Sequence, residues 1–332
     1  MKKIKCSIVG LGRIGSFLED DSLREKPASH AGAIKANPHC VILSGCDIDK
    51  ERCERFQKRW ECKNVFTDFH KMLEFEKPDI LNIATPPETH KDIILEAARA
   101  EIPVVICEKP LTESIKEAKQ IIDFISPLNT ILMVNHERRY SKDYINLKKI
   151  IQENIYGDLF TINCRLYMGR GAKVKEMLWE DGTHLIDIIR FLTNKEISFV
   201  NAKGNVSQPG GECVFILKAG EIFVLVDAAC NREYLAFELD VSFFRGFVKI
   251  GNGIYEEYES CKSPFYEKAR SLIKKRKKLF PITNYFAGML EDAVNLFFNH
   301  GKPKTPVSSG MDGFKAVVTI ENLISQAEKI NQ

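Results

Sequence analysis

Over the first 135 residues, short apolar runs alternate with segments whose apolar residues recur every three or four positions. "KIKCSIV", "VILSGCDID", "DILNIAT", "IPVVICEKP" and "NTILMVNHERRY" read as strands, and "HAGAIKANP", "PPETHKDIILEAARA" and "LTESIKEAKQIIDFI" as helices. In the last helix, Ile115, Ala118, Ile121, Ile122 and Ile125 share one face, and Ser114 and Glu117 have the spacing of a capping box. Strands alternating with amphipathic helices predict a parallel sheet with helices on both faces. Ligands of such sheets bind at the carboxyl ends of the strands.

Near residue 136 the period changes. In "LFTINCRLYM", Phe160, Ile162, Cys164, Leu166 and Met168 alternate onto one face, as in a sheet covered on one side. The runs "FVNAKGNVS", "ECVFILKAG", "EIFVLVDAAC", "LAFELDVSF" and "GFVKIG" then follow with short turns, predicting an open antiparallel sheet. Between them, "WEDGTHLIDIIRFLT" has a buried helical face of Leu185, Ile188, Ile189 and Leu192, with Gly182 predicted to delay the helix start until just before His184. "VSSGMDGFKAVVTIENLISQA" reads as a packed terminal helix. The fold class is therefore α/β. A parallel-sheet domain over 1–135 precedes an α+β domain over 136–332 with a large, mostly antiparallel sheet.

Composition narrows the function. A chain of 332 residues suits two domains. A net charge of +3, without an RNA or DNA motif, argues against a nucleic-acid partner. The longest apolar runs are strand-sized, so no membrane span is expected. The start "MKKIKCSIVG" is too short in its apolar part for a signal peptide. Ten scattered cysteines form no C-x-x-C pair and no Cys/His cluster at metal spacing; they read as reduced, mostly buried thiols of a cytoplasmic protein that holds no metal.

The chemistry concentrates at strand ends. "GLGRIG" follows the first strand, with Gly10, Gly12 and Gly15 in the G-x-G-x-x-G pattern and Arg13 and Ile14 between the last two. The first glycine permits the tight turn, the second lets backbone approach a pyrophosphate, and the third lets the next helix pack closely. The N-terminus of that helix would present N–H groups to the phosphates. A glycine-rich turn without a ligand is the alternative. Asp47, at the end of the second strand, would accept from ribose hydroxyls and repel a 2′-phosphate, which favours NAD over NADP. It stands 32 positions after Gly15, against a usual spacing of about 20. The surplus is the charged stretch at 19–29, either a solvated loop or a flap near the cofactor. "ATPPETH", "CEKP" and "NHERR" occupy the ends of later strands.

Elsewhere, His184 has two readings, a structural histidine beside a buried helix or a proton-transfer group. Glu180, His184 and Asp187 are spaced by four and three, so an unbroken helix would bring them to one surface. The basic stretch 268–278, with seven Lys or Arg, is a solvated helix or loop, or else attracts a phosphorylated or nucleotide-linked substrate. Arg138, Arg139, Arg165 and Arg170 are further candidates to line a pocket.

Taken together, "GLGRIG", "ATPPETH", "CEKPL", "NHERRY", "EDGTHLID" and "VSSGMDGFKAV" resemble, in order and spacing, the glucose–fructose oxidoreductase, inositol dehydrogenase and MocA family of NAD(P)-dependent oxidoreductases. The resemblance spans essentially the whole chain. It implies a Rossmann domain, then a domain whose open sheet serves oligomer contact, as in a homodimer or homotetramer. It also implies that Lys109 lies beside nicotinamide and substrate, that Glu108 contacts the nicotinamide ribose, and that Thr85, Pro86 and His90 line the cofactor. His184 would be the proton-transfer residue. Many sugar-alcohol dehydrogenases of the family carry an aspartate four residues before that histidine. Glu180 stands there in this chain, with Asp181 adjacent, so either could complete the catalytic set. The expected reaction is hydride transfer between nicotinamide and a secondary alcohol or ketone of a sugar, cyclitol or nucleotide-sugar. His184 would take the hydroxyl proton and a buried Lys109, its pKa lowered, would stabilise the oxygen. Two alternatives are a non-catalytic NAD-binding regulator, and transient oxidation with recycled NAD that assists elimination or glycosidic cleavage.

Overall fold

A computed structural model describes residues 3–275, 283–299 and 305–330. The chain divides into two compact units, Met1–Ser141 with Ile282–Val317, and Lys142–Pro281 with Val318–Gln332. The first unit thus takes up a late segment that a division at residue 135 assigns wholly to the second domain.

The first unit is built on β1 (Ile4–Val9), β2 (Cys40–Cys46), β3 (Asn64–Phe66), β4 (Ile80–Ile83), β5 (Val104–Cys107) and β6 (Ile131–Val134). They form a parallel sheet in the order β3-β2-β1-β4-β5-β6. The order reverses between β1 and β4, the place where such sheets open a crevice for a ligand. Full burial of β4 and β5 explains their continuous apolar runs. The helix Ile115–Ile125 buries Ala118, Ile121 and Ile125 as its pattern requires. Its capping box does not form. Ser114 makes no side-chain cap, and Glu117 instead pairs with Lys91 at 2.8 Å.

β6 is an edge strand, and the late segment covers it. Met133 bridges antiparallel to Ser309, and the Ser308 hydroxyl donates to the Val134 carbonyl at 2.8 Å. Arg139, which sequence offered as a pocket residue, is structural. It donates to the Val307 carbonyl at 2.7 Å and pairs with Asp312 at 3.0 Å. Arg138 is likewise buried, 3.4 Å from the Tyr285 hydroxyl.

The second unit carries β7 (Leu159–Tyr167), β8 (Ile197–Gly204), β9 (Glu212–Ala219), β10 (Ile222–Ala229), β11 (Ala236–Phe243), β12 (Gly246–Gly251), β13 (Ile254–Lys262) and β14 (Arg270–Lys274). Their order is β14-β13-β12-β11-β7-β10-β9-β8, antiparallel throughout except for the β7–β10 pair. Ile162, Cys164 and Leu166 enter the core as expected, but Phe160 is exposed. The β11 register skips from Ser242–Thr161 to Phe243–Leu159, so Phe160 sits in a bulge and loses the alternation. Arg165 lies on this sheet, held by Glu238 and Asp240 at 2.9 and 2.8 Å, and Arg170 is exposed.

The described part of the basic stretch is a strand, not a helix. Its Lys274 and Lys275 meet Glu256 and Glu259 of the neighbouring β13, which answer its charge. Residues 276–278 lie outside the described residues. All ten cysteines are free thiols, nine of them buried and Cys261 exposed.

The Asp312 carboxyl tests the clamp on β6. Burial alone would raise its pKa, but the Arg139 guanidinium and the Ser309 N–H and hydroxyl outweigh burial and hold it at about 2. A carboxyl depressed in the folded state adds stability above its unfolded pKa of about 4, and that stability is lost as pH falls toward 2. Asp312→Asn is expected to cost about 2 kcal/mol at neutral pH and to remove this part of the acid slope. Urea unfolding of both proteins from about pH 7 to about pH 3 measures it.

Candidate active site

The glycine turn divides by function. Gly10 has φ +91°, and a Cβ there would lie 2.5 Å from the Ala84 carbonyl carbon. A Cβ on Gly15 would lie 2.0 Å from the Gly10 oxygen. Both glycines are therefore demanded by the fold itself. Gly12 is different, because a Cβ there would meet only the Arg52 guanidinium tip at 3.7 Å. Nothing in the protein backbone requires glycine at that position, whereas close approach of a dinucleotide phosphate would. The cradle therefore fits the cofactor that the pattern implies.

The expected helix does not run on from the turn. Phe17–Asp20 forms a 3₁₀ turn, and the helix proper is His30–Ala36. Its first residues nevertheless bond back across the gap, His30 N–H to the Ile14 carbonyl at 3.2 Å and Ala31 N–H to the Gly15 carbonyl at 3.0 Å. The stretch at 19–29 is thus spliced into the first turns of an otherwise continuous ladder. That splice accounts for the long spacing to Asp47, and it shortens the helix whose dipole was expected at the phosphates. The stretch is tied down at several points. Glu19 accepts from Ala28 N–H and the Ser29 hydroxyl at 2.7 and 3.0 Å. Lys26 donates to the Asp21 carbonyl at 2.7 Å, and Glu25 accepts from Thr283 N–H at 2.7 Å. Arg13, mostly exposed, lies 4.0 Å from Asp21, and Ile14 is half-buried.

Asp47 is buried just beyond β2. It accepts from Leu11 N–H at 2.8 Å and Asp49 N–H at 3.0 Å, with Arg52 at 3.6 Å. The carboxylate is thereby locked against the glycine turn.

Past β4, Thr85 is half-buried and Pro86 exposed, at the start of the helix Pro87–Arg99. His90 corrects the implied assignment. It is wholly buried, with one ring nitrogen 2.8 Å from the Thr85 carbonyl and the other 3.0 Å from the Pro110 carbonyl. It ties the two turns together rather than offering a face to a ligand.

Past β5, the Glu108–Lys109–Pro110 turn stands on a buried polar network. Glu108 Oε1 lies 2.9 Å from His30 Nε2 and accepts from Asn135 Nδ2 at 2.6 Å. His30 Nδ1 lies 3.1 Å from Asn82 Oδ1, and Asn82 donates to the Ser7 carbonyl at 3.2 Å. Burial pushes the Glu108 carboxyl up, but His30, Asn135 and Lys109 together bring it below the ordinary glutamate value, so it is ionised. Lys109 is half-buried rather than buried. Glu137 stands near it with its pKa raised, burial outweighing Arg138 and the adjacent Glu108 adding to the rise. His30, Asn82, Asn135 and Glu137 were missed by sequence reasoning. Their partners lie 27 to 78 positions apart for Glu108, and no local pattern marks such pairs.

In the second unit, His184 is buried on the helix Thr183–Thr193. Gly182 does not delay that helix. Helical backbone begins at Val174 and passes through a π-helical turn, Leu178–Gly182. A Cβ on Gly182 would press on Leu178 at 2.9 Å and Ile320 at 3.3 Å, so close packing is what calls for glycine. The wide turn changes the phase before His184. Glu180 is exposed, Asp181 half-buried and Asp187 buried. Such turns recur at functional positions of helices. Among the described residues no group of His, Cys, Asp or Glu could hold a metal ion, and no helix is long and apolar enough to cross a membrane.

Residues 4–136 match the model of an oxidoreductase family with an NAD-binding Rossmann fold. Inositol 2-dehydrogenase 4 of Saccharopolyspora erythraea is 26% identical over 69% of this chain and 68% of its own length. The scyllo-inositol 2-dehydrogenase (NAD(+)) of Bacillus subtilis is 27% identical over 61% of this chain, and the match spans only 58% of that relative. A structure of levoglucosan dehydrogenase in complex with NADH and L-sorbose aligns over 99% of this chain and 98% of its own, with a TM-score of 0.80 and 19% identity, a likeness of fold.

The glycine geometry predicts a split among substitutions. Gly12→Ala should leave stability within about 0.5 kcal/mol of the parent yet weaken NADH binding at least about tenfold. Gly15→Ala should destabilise the fold. Thermal melts and NADH fluorescence titration of the two variants check this, and equal NADH affinity in Gly12→Ala would contradict it.

Proposed function

The chain belongs, through residues 4–136, to the glucose–fructose oxidoreductase, inositol dehydrogenase and MocA family of NAD-binding oxidoreductases, and from that premise we propose that it oxidises a secondary alcohol of a cyclitol or sugar with NAD. The observation that carries this reading is the lysine turn after β5. Half-buried Lys109 is set beside an ionised Glu108, in the same unit as a glycine cradle left open at Gly12. The similarity to inositol dehydrogenases supports a polyol substrate, and a nucleotide-linked sugar belongs to the same chemical class.

Bound nicotinamide would receive the hydride from the carbinol carbon. What the protein's own residues do is hold the cofactor and manage the proton. Gly10, Gly12 and Gly15, with Arg13 and Ile14 in the same turn, would pass under the pyrophosphate, and Thr85 and Pro86 would line it. Asp47, a buried carboxylate, would accept the adenosine ribose hydroxyls and disfavour the added phosphate of NADP. Glu108 Oε1 is used by His30 and Asn135, while Oε2 accepts no hydrogen bond among the described residues and would take a hydroxyl of the nicotinamide ribose. Lys109 would donate to the substrate oxygen as negative charge builds there, and His184 would accept the hydroxyl proton. Either Glu180 or Asp181 would orient His184, and the half-burial of Asp181 favours it. Ketone reduction reverses each transfer.

We also propose that the chain associates through the open face of its second sheet, as a homodimer or homotetramer. Val214, Phe223 and Leu225 stand exposed on one face of the adjacent strands β9 and β10.

Lys109→Ala should lower kcat at least about a thousandfold while the NAD dissociation constant stays within about threefold. Steady-state kinetics beside a binding titration tests this, and lost binding with unchanged turnover of bound cofactor would refute the role. The double substitution Phe223→Asp, Leu225→Asp should halve the particle mass or more by light scattering. An unchanged mass would remove this face from the assembly.

A further inference from the structure

We infer that His30 is a positioning residue for cofactor binding, fixing the Glu108 carboxylate so that its second oxygen is offered to the nicotinamide ribose. The inference rests on the proposed NAD-dependent function and deepens it.

The geometry begins with saturation. Glu108 Oε1 receives both His30 Nε2 at 2.9 Å and Asn135 Nδ2 at 2.6 Å. A carboxylate gripped by two donors on one oxygen has its plane and direction fixed, and Oε2 remains as the acceptor for an incoming hydroxyl. The side chain retains 11% of its exposure, so it is not sealed from a ligand. His30 is itself held on several sides. Its side chain is fully buried, its other ring nitrogen is fixed against Asn82, and the ring stands edge-on to Phe286 with centroids 5.4 Å apart. Asn82 in turn is held by the Ser7 carbonyl inside the sheet. The chain of contacts therefore runs from β1 through β4 to the turn after β5, every link buried.

Burial acts against this arrangement, because it favours the protonated carboxyl. The groups facing Glu108 are His30, Asn135 and Lys109, which stabilise its charge, and Glu137, whose own pKa that charge helps to raise. His30 has the largest part among those that stabilise. Removing it leaves burial less opposed, so the carboxyl takes up a proton at higher pH and no longer accepts on both oxygens. His30 is also the first residue of the helix resumed after the 19–29 stretch, whose Glu19 holds Ala28 and Ser29 just before it. The inserted stretch thus delivers the residue that sets Glu108.

The test is NADH fluorescence titration of the full chain across about pH 5.5 to about pH 8.5. The parent protein should bind with nearly constant affinity. His30→Leu should bind about tenfold more weakly at neutral pH, and the deficit should grow as pH falls, since the unsupported Glu108 carboxyl becomes protonated. Adding Glu108→Gln to His30→Leu should cause no further loss, because the two residues act as one unit. His30→Gln, which keeps an N–H donor, should recover part of the affinity, and it replaces His30→Leu if that variant fails to fold. A loss that is uniform over pH and additive with Glu108→Gln would mean general packing damage and overturn the inference, as would an unchanged affinity. Absence of NADH binding by the parent protein would overturn the proposed function as well.

Discussion

An ionised glutamate beneath the surface is the constraint around which the first unit is organised. Isolated burial of a carboxylate is strongly unfavourable, and it persists only with donors in place. Glu108 has them from two directions, His30 from the helix that follows the glycine turn and Asn135 from the end of β6. To supply both, the ends of β1, β4, β5 and β6 must be in register, and the helix His30–Ala36 must close against the turn that precedes it. The steric demand of Gly15 on Gly10 and the backbone bonds of His30 and Ala31 achieve that closure. The lysine turn inherits its place from this network and from His90, which ties Thr85 to Pro110.

Two pieces of chain that look peripheral in sequence serve the same arrangement. The stretch at 19–29 enters the ladder after Gly15 and leaves at His30, so its own bonds, Glu19 to Ala28 and Ser29 among them, govern where His30 begins. The segment around 305–312 returns from late in the chain to cover β6. Arg139 and Asp312 fasten it, leaving the residues after β6 with no freedom to drift. Stability of the edge strand and precision of the turns at the strand ends are thus one problem with one solution.

Much of this arrangement is legible in the amino-acid sequence. Strand and helix periods locate the parallel sheet, and the turns with chemical content fall at the carboxyl ends of its strands because burial forces apolar runs to stop there. What stays hidden has long-range causes. The glutamate's partners carry no local signature, since a histidine opening a helix and an asparagine closing a strand are individually ordinary. Helix propensity, the only local argument at Gly182, points the wrong way, because the contact with Ile320 decides that position. Alternation misplaces Phe160, because a bulge against the partner strand breaks the period without any mark in the strand itself. Arg139 and Arg165 look like ligands for an anion, and both are spent on carboxylates of the fold.

The measurement that bears most directly on the account is a parallel titration of the purified protein with NADH and NADPH, followed by a panel of inositols, sugars and nucleotide-sugars with NAD at the NADH absorbance band. Saturable binding of NADH, weaker binding of NADPH, and growth of the absorbance with at least one polyol are the expected results. Failure to bind either dinucleotide would contradict it at its foundation. Preference for NADPH would contradict the role of Asp47, and tight NADH binding with no growth across the panel would contradict net oxidation of a polyol.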